Sequence, residues 1–308
     1  MTGLDEHLVD YLSLRRSLGY KLERAGLLLA QFVAHIRASG VETFSVADAV
    51  QWATLPAAGS GWWWKQRLSV VRGFAVYLHN LDPAVEVPPA DLLPAGIPRA
   101  TPYLYSEADI TALMAAATTL RSPLRVATYQ TLIGLLAVTG MRVGESIRLN
   151  RADVDLAEGV ITVWHTKFDK SRRLPLHPST TMALRDYLKN KERLAAGPVT
   201  SAVFISPAGT RLLACNVEST FRLLVARCGL QARSGNCRPR IHDIRHSFIV
   251  NAVLDGYRSG ADVQARLPVI STYAGHVDPK ATFWYLTASP ELLAIAAGRL
   301  DAYLGGAR

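Results

Sequence analysis

A proline-rich stretch divides this chain of 308 residues into two parts. Six prolines lie within residues 82–102, and the apolar residues there follow no helical period. Proline has no backbone N–H to give to a helix or a strand ladder, so we expect a semi-extended linker here. The sequence therefore predicts a first domain over residues 1–82, a linker over residues 83–102 and a second domain over residues 103–308.

The part before the linker has the apolar spacing of a small helical bundle. Helices are predicted over residues 4–18, 23–36, 46–54 and 62–80. Ser45 and Asp48 have the spacing of a capping box at the start of the third helix. The three consecutive tryptophans at positions 62–64 cannot all face one core. We expect one or two of these rings to pack and the rest to lie at the surface; contact with a sugar or base is the alternative.

The part after the linker is predicted to be mostly helical with one small antiparallel β-sheet. Residues 159–165 alternate and are β-branched, which is typical of a strand, and a turn at residues 168–171 leads to a return strand at residues 172–176. A further short strand is predicted at residues 203–206. Helices are predicted over residues 106–117, 124–138, 145–149, 178–194, 213–228, 242–254, 268–274 and 289–304.

The positive charge of the chain lies in the second part. The full sequence carries 34 Lys and Arg against 25 Asp and Glu, a net charge of +9, whereas residues 1–100 carry 9 of each kind. Residues 101–308 therefore hold 25 basic against 16 acidic residues. A basic domain favours a polyanionic partner, most often nucleic acid, although solubility alone would also account for the charge.

No stretch of the sequence indicates export or membrane insertion. The longest apolar run, residues 132–138, is far shorter than the roughly 18–20 residues of a membrane span, and the N-terminus lacks the pattern of a secretory signal. Cys215, Cys228 and Cys237 form no disulfide or zinc framework, which suggests reduced thiols. We expect a cytoplasmic protein without a metal site.

Arg142 is the first candidate site residue. It lies two positions after Gly140, a predicted left-handed C-cap of the preceding helix, and so projects from a tight turn. A guanidinium in such a place suits bidentate contact with a phosphate. Glu145, three residues on, could pair with Arg142 or with the backbone and hold it in place. The alternative is a simple surface ion pair between the two.

His242, Arg245 and His246 form a second candidate group, at positions i, i+3 and i+4 of a helix start and hence on one face. The helix dipole there favours an anion, which His242 and Arg245 could contact, while His246 is expected to be structural. The spacing of the two histidines is also that of zinc proteases. Those enzymes need Glu after the first histidine, where this chain has Asp243, so zinc is a weak alternative.

The predicted hairpin tip carries a third basic group. Lys167 lies at the end of the first strand, and Lys170, Arg172 and Arg173 surround the turn. Such a tip fits a nucleic-acid groove or a phosphate, although a solvated turn is the default interpretation. The fourth helix of the first part carries three more basic residues that suit phosphate contacts or a solvated face: Lys65, Arg67 and Arg72.

The last candidates are His276, after Gly275, and Tyr285, nine residues further on. The whole set has two Arg, a Lys, two His and a Tyr, with neither the carboxylate pair of glycosidases nor a metal site. Two Arg and a Lys suit the charge of a phosphoryl-transfer transition state. A tyrosine hydroxyl is then the natural nucleophile. Ionising it at pH 7 costs about 4 kcal/mol from a free pKa of about 10, and neighbouring cations lower that cost.

These residues, in this order and spacing, resemble the signature of the tyrosine recombinases, also called the phage integrase family. The matching residues are Arg142, Lys167, His242, Arg245, Gly275, His276 and Tyr285. The resemblance covers nearly the whole chain and implies a helical, SAM-like core-binding domain, a linker and an α+β catalytic domain with a small sheet. The context of Tyr285 and the continuation at residues 289–292 look closest to recombinases of transposons and other mobile elements.

The resemblance implies a reaction that needs no cofactor. Tyr285 would attack the scissile phosphate to give a 3′-phosphotyrosine and a free 5′-hydroxyl, while Arg142 and Arg245 hold the non-bridging oxygens. Lys167, with Lys170 as second choice, would protonate the leaving group. His242 and His276 would assist proton movement and charge stabilisation. The covalent bond keeps the energy of the cut strand, so neither ATP nor metal is required.

The resemblance also implies partners. Double-stranded DNA with inverted-repeat core sites would be bound by a tetramer of this chain, alone or with related recombinases, and strands would exchange through a Holliday junction. The helix at residues 289–304 would dock on the neighbouring protomer, or else pack in cis. The protein would act at the bacterial nucleoid, in integration, excision or transposition of a mobile element.

Three other functions fit part of the pattern. A type IB topoisomerase has similar site residues but relaxes DNA without a partner site, and the predicted core-binding domain and C-terminal helix argue against it. A DNA-binding regulator that has lost catalysis would have no need for Tyr285. A zinc hydrolase fits least, because the sequence offers too few ligands.

Overall fold

The computed structural model describes residues 3–41, 43–56, 58–94, 100–164, 171–275 and 290–305. The chain divides into two compact units, Met1–Ala100 and Thr101–Arg308. The first part of the proline-rich stretch belongs to the first unit. Val85 is buried in the core of that unit, and the carboxylate of Glu86 accepts a hydrogen bond from the backbone N–H of Val46 (2.7 Å).

The described residues of the first unit form four helices at the predicted places. Their bounds are α1 Leu4–Ser17, α2 Glu23–Ala38, α3 Val46–Thr54 and α4 Gly61–His79. The predicted capping box begins α3: the Ser45 hydroxyl accepts from the Asp48 N–H (3.3 Å), and the Asp48 carboxylate accepts from the Ser45 N–H (2.8 Å). These local bonds satisfy N–H groups that the first turn of a helix otherwise leaves without partners.

Aromatic rings fill the core of the first unit. Phe32 of α2 is fully buried and packs edge-on against Phe44 and Trp52, with ring centroids 4.9 and 5.2 Å away. Offset and edge-on contacts of this kind are the arrangements that aromatic pairs prefer. The three rings therefore join α2 to α3 and to the loop before it.

The consecutive tryptophans of α4 divide as predicted between packing and exposure. Trp63 packs against the core of the first unit, and Trp64 donates its indole N–H to the Pro56 carbonyl (2.9 Å). Trp62 is exposed. A helix turns by about 100° per residue, so three neighbours cannot face the same side.

The second unit is mostly helical with a small antiparallel sheet, which confirms the predicted fold class. Its helices are α5 Glu107–Ala116, α6 Pro123–Thr139, α7 Val143–Arg148, α8 Pro178–Lys189, α9 Lys191–Ala195, α10 Ala214–Arg227, α11 Asp243–Arg258, α12 Val263–Ala274 and α13 Pro290–Gly305. Its strands are β1 Val154–Asp155, β2 Val160–Val163 and β3 Arg172–Pro175. Helix α6 packs against α5, α8 and α11 and places Leu132 and Ile133 in the interior. None of the described helices is both long and apolar enough to span a membrane.

The sheet has the strand order β1-β2-β3, and both pairs are antiparallel. Ile161 of β2 lies opposite Leu174 of β3, and both side chains are fully buried. Alternate residues of a strand face the same side, so Arg173 next to Leu174 faces the other side of the sheet. Strand β1 was not predicted, because a pair of residues is too short to show a period.

The helix predicted over residues 178–194 is interrupted at Asn190. The Asn190 side chain accepts hydrogen bonds from the backbone N–H groups of Glu192 (2.9 Å) and Arg193 (3.3 Å) and so begins α9 as a new helix. Asn is among the residues that compete with helical backbone bonds and favour such caps. The two shorter helices therefore replace the single predicted one.

Two further elements differ from the prediction. The segment predicted as a strand at residues 203–206 forms isolated bridges, with Ile205 opposite Arg211. Helix α12 begins at Val263, five residues before the predicted start, and contains Pro268. The prediction placed Pro268 at the first turn, where proline is best tolerated, but in this helix it lies in the interior.

A separate apolar cluster joins α11, α12 and α13. Ile249 of α11, Val263 of α12 and Leu292 of α13 are among its buried residues. Glu291 at the start of α13 lies 3.4 Å from Arg258 of α11. The first turn of α13 thus packs against α11 of the same chain, which is the cis arrangement that the sequence left open for this helix.

Candidate active site

Two helices end at glycines in the left-handed conformation, and one side chain binds both ends. Gly140 follows α6 with a φ of 58°, as predicted, and Gly275 follows α12 with a φ of 71°. Glycine adopts this backbone at no steric cost. A Cβ at position 140 would overlap the ring of Phe248, so this turn has no room for a side chain.

Arg245 of α11 bridges the two helix ends. Its Nη1 donates to the Gly140 carbonyl (2.7 Å), and its Nη2 donates to the Ala274 carbonyl (2.6 Å). The side chain is buried, and it is stabilised there because the C-terminal ends of helices carry partial negative charge. The planar fork of a guanidinium has donors on two separate nitrogens, which suits two separate acceptors.

Arg142 binds the next carbonyl along the chain. Its Nη2 donates to the Gly275 carbonyl (3.1 Å), and its Nη1 donates to the Glu145 carboxylate (2.9 Å). The Arg142 side chain is 37% exposed, so this guanidinium lies at the surface of the group. Arg142 and Arg245 thus bind consecutive carbonyl groups at the end of α12.

Glu145 of α7 joins two arginines. Its carboxylate accepts from the backbone N–H and Nη1 of Arg142 and from both terminal nitrogens of Arg172. Burial would raise the pKa of this carboxyl, since its side chain is only 3% exposed, but the bonds and charges of Arg172 and Arg142 outweigh burial and lower the pKa to about 2. The prediction that Glu145 pairs with Arg142 or with the backbone is confirmed, because it does both.

The structure changes the role of Arg172. The sequence predicts a DNA contact here, but the side chain is 9% exposed and is bound to Glu145 (3.2 and 2.8 Å) and, through Nε, to the Tyr273 carbonyl (2.9 Å). The correction follows from the pleat of β3: Arg172 faces α7 and α12, whereas Arg173 is exposed and stays a predicted DNA contact.

His242 lies directly before α11, at its N-cap. Surrounding protein atoms lower the pKa of the ring although the residue is exposed. The positive charges of Arg245 and Arg142 lower this pKa further, and the negative charge of Asp243 opposes them. The neutral form of the ring, which can accept a proton, is therefore favoured. The ring meets that of His246 edge-on, with centroids 5.2 Å apart. His246 is buried and lies 3.7 Å from Asp243, as expected for a structural residue.

An ion pair that sequence reasoning missed fixes the start of α11. Arg240 donates through Nε and Nη2 to the two oxygens of Asp243 (2.9 and 2.8 Å), and the Asp243 side chain is fully buried. The hydroxyl of Tyr105 donates to the Arg240 carbonyl (3.1 Å). The i, i+3 spacing of the pair is a signal in the sequence, but such pairs are common on solvated helices. The pair stabilises the backbone that carries His242.

Four predicted site residues lie outside the described residues: Lys167, Lys170, His276 and Tyr285. The chain next to them is described. Gly275, which precedes His276, accepts a hydrogen bond from Arg142 through its carbonyl. Strand β2 ends shortly before residues 165–170, and strand β3 begins shortly after them. The structure therefore brings together three of the predicted residues, Arg142, Arg245 and His242.

The basic residues predicted for DNA contact on α4 differ in their surroundings. Arg67 is 7% exposed; its guanidinium lies 3.6 Å from the centroid of the Trp52 ring and donates to the Trp52 carbonyl (2.8 Å). A guanidinium buried in this way stabilises the interior of the first unit and is not available to a phosphate. We therefore remove Arg67 from the predicted DNA contacts. Arg72 is exposed and donates through Nε to the Pro88 carbonyl (3.0 Å), and Lys65 is half-buried. Both stay candidates.

The charges of the group suit an anion. The guanidinium groups of Arg142 and Arg172 bind the carboxylate of Glu145, and that of Arg245 binds the Ala274 carbonyl next to the one that Arg142 binds, so these four side chains together carry a net positive charge. The planar fork of a guanidinium matches the geometry of carboxylate and phosphate oxygens, so a phosphate suits this group. In the part of the chain that the structure describes, no three His, Cys, Asp or Glu side chains converge as they would around a metal ion.

Known proteins share this sequence over most of its length. Residues 104–291 match the phage integrase family. A protein of Sinorhizobium fredii named as an integrase/recombinase, y4rB, is 40% identical over 307 residues, which are 98% of each chain. Tyrosine recombinase XerC of Alcanivorax borkumensis is 28% identical over 221 residues, which are 72% of this chain and 67% of XerC.

Solved structures share the fold. The integrase of the Tn1549 transposon, in complex with transposon right end DNA, superposes with a TM-score of 0.65 at 17% identity over 96% of this chain and 99% of that one. At such an identity the likeness concerns the fold alone. The family match covers more than half of the chain, and the S. fredii protein is similar from end to end. The chain therefore belongs to the phage integrase family, the tyrosine recombinases, as its sequence predicted.

Proposed function

We propose that this recombinase cuts and rejoins DNA at specific sites through a covalent 3′-phosphotyrosine, in the integration, excision or transposition of a mobile element. The hydroxyl of Tyr285 attacks the scissile phosphorus. A bond from the tyrosine oxygen to phosphorus forms as the bond to the 5′-oxygen of the next nucleotide breaks, and that oxygen takes up a proton. Rejoining reverses the step with the 5′-hydroxyl of a partner strand, so the reaction needs neither ATP nor a metal.

One observation carries the proposal: Arg142 and Arg245 bind consecutive carbonyl groups at the end of α12, directly before His276. A phosphate in contact with this group would lie next to Gly275, the residue directly before His276 in the chain. The exposed side of Arg142 offers further N–H donors to the non-bridging oxygens, whose negative charge grows in the transition state. Because Glu145 and three backbone carbonyls already orient the two arginines, little reorganisation is needed when the charge develops.

Proton transfer falls to the remaining candidates. Lys167, or Lys170 as second choice, protonates the 5′-oxygen that leaves. His242 acts beside Arg245, and its lowered pKa favours the neutral ring, which can accept the tyrosyl proton near neutral pH. His276 stabilises the charge on the phosphate. Removal of the tyrosyl proton matters because a free hydroxyl with a pKa of about 10 is a weak nucleophile.

The substrate we propose is double-stranded DNA with inverted-repeat core sites. The net charge of the second part of the chain, and the name of the S. fredii relative as an integrase/recombinase, support this choice. Four protomers, alone or with related recombinases, join two sites, and the strands exchange through a Holliday junction at the nucleoid. Leu292 and Ile295 of α13 pack in cis, so the turns after Ile295 provide the contact with a neighbouring protomer.

A nicked suicide substrate tests the proposal. The wild-type protein should form a protein–DNA adduct that survives denaturation, and Tyr285→Phe should bind the same DNA but form none. Tyr273→Phe is the matched control: its ring stacks on Phe248 (centroids 5.8 Å apart), and burial raises the pKa of its hydroxyl, so the variant should keep the adduct. If Tyr285→Phe still formed the adduct and Tyr273→Phe did not, the nucleophile would be Tyr273 and our assignment of Tyr285 would be wrong.

A comparison of plasmids that carry two core sites with plasmids that carry one distinguishes recombination from the alternative functions. A plasmid with two core sites should give recombinant products, and a plasmid with one site should not be relaxed to completion. Relaxation that is independent of a second site would favour the type IB topoisomerase. Binding of DNA by the wild-type protein without any adduct would favour a regulator that has lost catalysis.

A further inference from the structure

Three segments of the second unit meet at one buried guanidinium, that of Arg172. Arg172 begins β3, and its two terminal nitrogens donate to the two oxygens of Glu145 on α7 (3.2 and 2.8 Å). Its Nε donates to the Tyr273 carbonyl on the last turn of α12 (2.9 Å). One planar group therefore fixes the distance between the sheet, α7 and α12.

The contact with α12 is close as well as hydrogen-bonded. A Cβ built on Gly275 would lie 2.7 Å from Nη1 of Arg172, so the backbone of Gly275 packs directly on the guanidinium. The carbonyl of the same Gly275 accepts from Arg142 (3.1 Å). The helix end before His276 thus contacts both arginines, and Glu145 binds both of them as well.

Arg172 has the features of a residue that acts through others. Its side chain is 9% exposed, which leaves little surface for DNA, and its three bonded nitrogens all have protein acceptors. The bond to Glu145 is bidentate, a geometry that arginine provides and lysine does not. Arg172 also follows residues 165–170 closely, and that segment contains both candidate lysines.

We propose that Arg172 is a positioning residue of the cleavage site. It holds the guanidinium of Arg142 in place through Glu145, and it holds the end of α12, directly before His276, through its contacts with Tyr273 and Gly275. This inference rests on the proposed function. It replaces the DNA contact predicted for Arg172. An error of about 1 Å in the placement of reacting groups can cost roughly 100-fold in rate.

The test compares single-turnover adduct formation at saturating suicide substrate, DNA affinity and thermal stability in four variants of the full chain. Arg172→Gln should slow adduct formation by roughly 100-fold while its DNA affinity stays at the wild-type value. Arg172→Lys keeps the charge but loses the bidentate bond, so it should be slowed nearly as much. Arg151→Gln, at an exposed arginine of the same unit, is the matched control and should keep the wild-type adduct rate.

A double variant separates positioning from folding. Arg172→Gln leaves the buried carboxylate of Glu145 with one partner fewer, whereas Glu145→Gln combined with Arg172→Gln removes that charge. The double variant should regain thermal stability relative to Arg172→Gln but should not regain the adduct rate, because the link to Arg142 is still absent. It also provides a folded protein for the measurement if Arg172→Gln alone unfolds.

Distinct outcomes would overturn the inference. Reduced DNA affinity in Arg172→Gln with a wild-type rate at saturation would show that the residue contacts DNA. A wild-type rate in the stable double variant would show that the ion pair serves folding alone. Failure of the proposed function would look different, since the wild-type protein itself would then form no adduct at Tyr285.

Discussion

The guanidinium groups of Arg142 and Arg245 bind two consecutive carbonyl groups of the chain, those of Gly275 and Ala274. Arg245 also binds the Gly140 carbonyl, so the end of α6 and the end of α12 share one buried side chain. The geometry of the site therefore depends on two helix ends that need not contact DNA themselves. Changes at either end should alter cleavage as well as stability.

Gly140→Ala tests the helix end that binds Arg245. The backbone there has a positive φ, and the new Cβ would overlap the Phe248 ring, so we expect the free energy of unfolding to fall by about 2–4 kcal/mol. Cleavage should fall too, because the displaced carbonyl no longer positions Arg245. Urea unfolding and single-turnover adduct formation measure the two effects.

Gly229→Ala is the control for that substitution. Gly229 also follows a helix of the second unit with a positive φ (72°), but a Cβ there would meet nothing within 4 Å. Its cost should be the backbone strain alone, about 1–2 kcal/mol, with cleavage unchanged. Equal losses in the two variants would mean that the contact with Phe248 contributes nothing.

Arg142→Ala should lose the contact that stabilises charge in the transition state. We expect single-turnover cleavage to fall by at least about 100-fold, with DNA affinity little changed, since one phosphate contact is a small part of the total. Arg151→Ala, which removes an exposed arginine of the same unit, should cleave like the wild-type protein. Full activity in Arg142→Ala would make this arginine structural.

Stability of the second unit should depend on pH through Glu145. The folded pKa of about 2 lies below the ordinary value of 4.5, so the contribution is fully present above about pH 4.5 and is lost as the pH falls towards 2. A shift of this size corresponds to about 3 kcal/mol. Urea unfolding between pH 6 and pH 3 should show a smaller loss in Glu145→Gln than in the wild-type protein; identical slopes would contradict the lowered pKa.

Arg67 and Arg72 of α4 should respond in opposite ways to substitution. Arg67→Ala removes a buried cation–π contact and a hydrogen bond to Trp52, so the free energy of unfolding should fall by about 2–3 kcal/mol. Arg72→Ala should leave stability nearly unchanged and reduce the salt dependence of DNA binding by about one ion. Chemical unfolding and affinity titrations at several salt concentrations check both, and the reverse pattern would contradict our assignment of Arg67.

Salt and chelators should act on different steps. DNA affinity should fall steeply between low and physiological salt, because bound phosphates release counterions. Adduct formation should persist in EDTA, since the proposed reaction uses a tyrosine, cations of the protein and no metal. Loss of the adduct in EDTA, restored by a divalent cation, would indicate a metal mechanism.

Local signals of the sequence predicted much of the fold. The capping box at Ser45, the left-handed Gly140 and the pairing of Glu145 with Arg142 all depend on residues within a few positions of one another. Such interactions can be read from spacing. The existence of the helices and the sheet could be read from the apolar periods for the same reason.

The remaining features depend on residues far apart in sequence. The sequence shows Arg172 and Arg67 as basic residues near others, but their burial is decided by α7, α12 and Trp52. At Asn190 the side chain caps a new helix, although the same residue could have continued the preceding one. The spacing of apolar residues does not distinguish these two outcomes. Sequence reasoning could thus find the cationic group but not which of its members face inward.

The identity of the residue that becomes covalently bound to DNA decides whether Tyr285 is the nucleophile. The wild-type protein should be trapped on a nicked substrate, digested with a protease and a nuclease, and analysed by mass spectrometry. We expect a nucleotide linked through its 3′-phosphate to the peptide that contains Tyr285. A link at any other residue, or a link through a 5′-phosphate, would contradict this expectation.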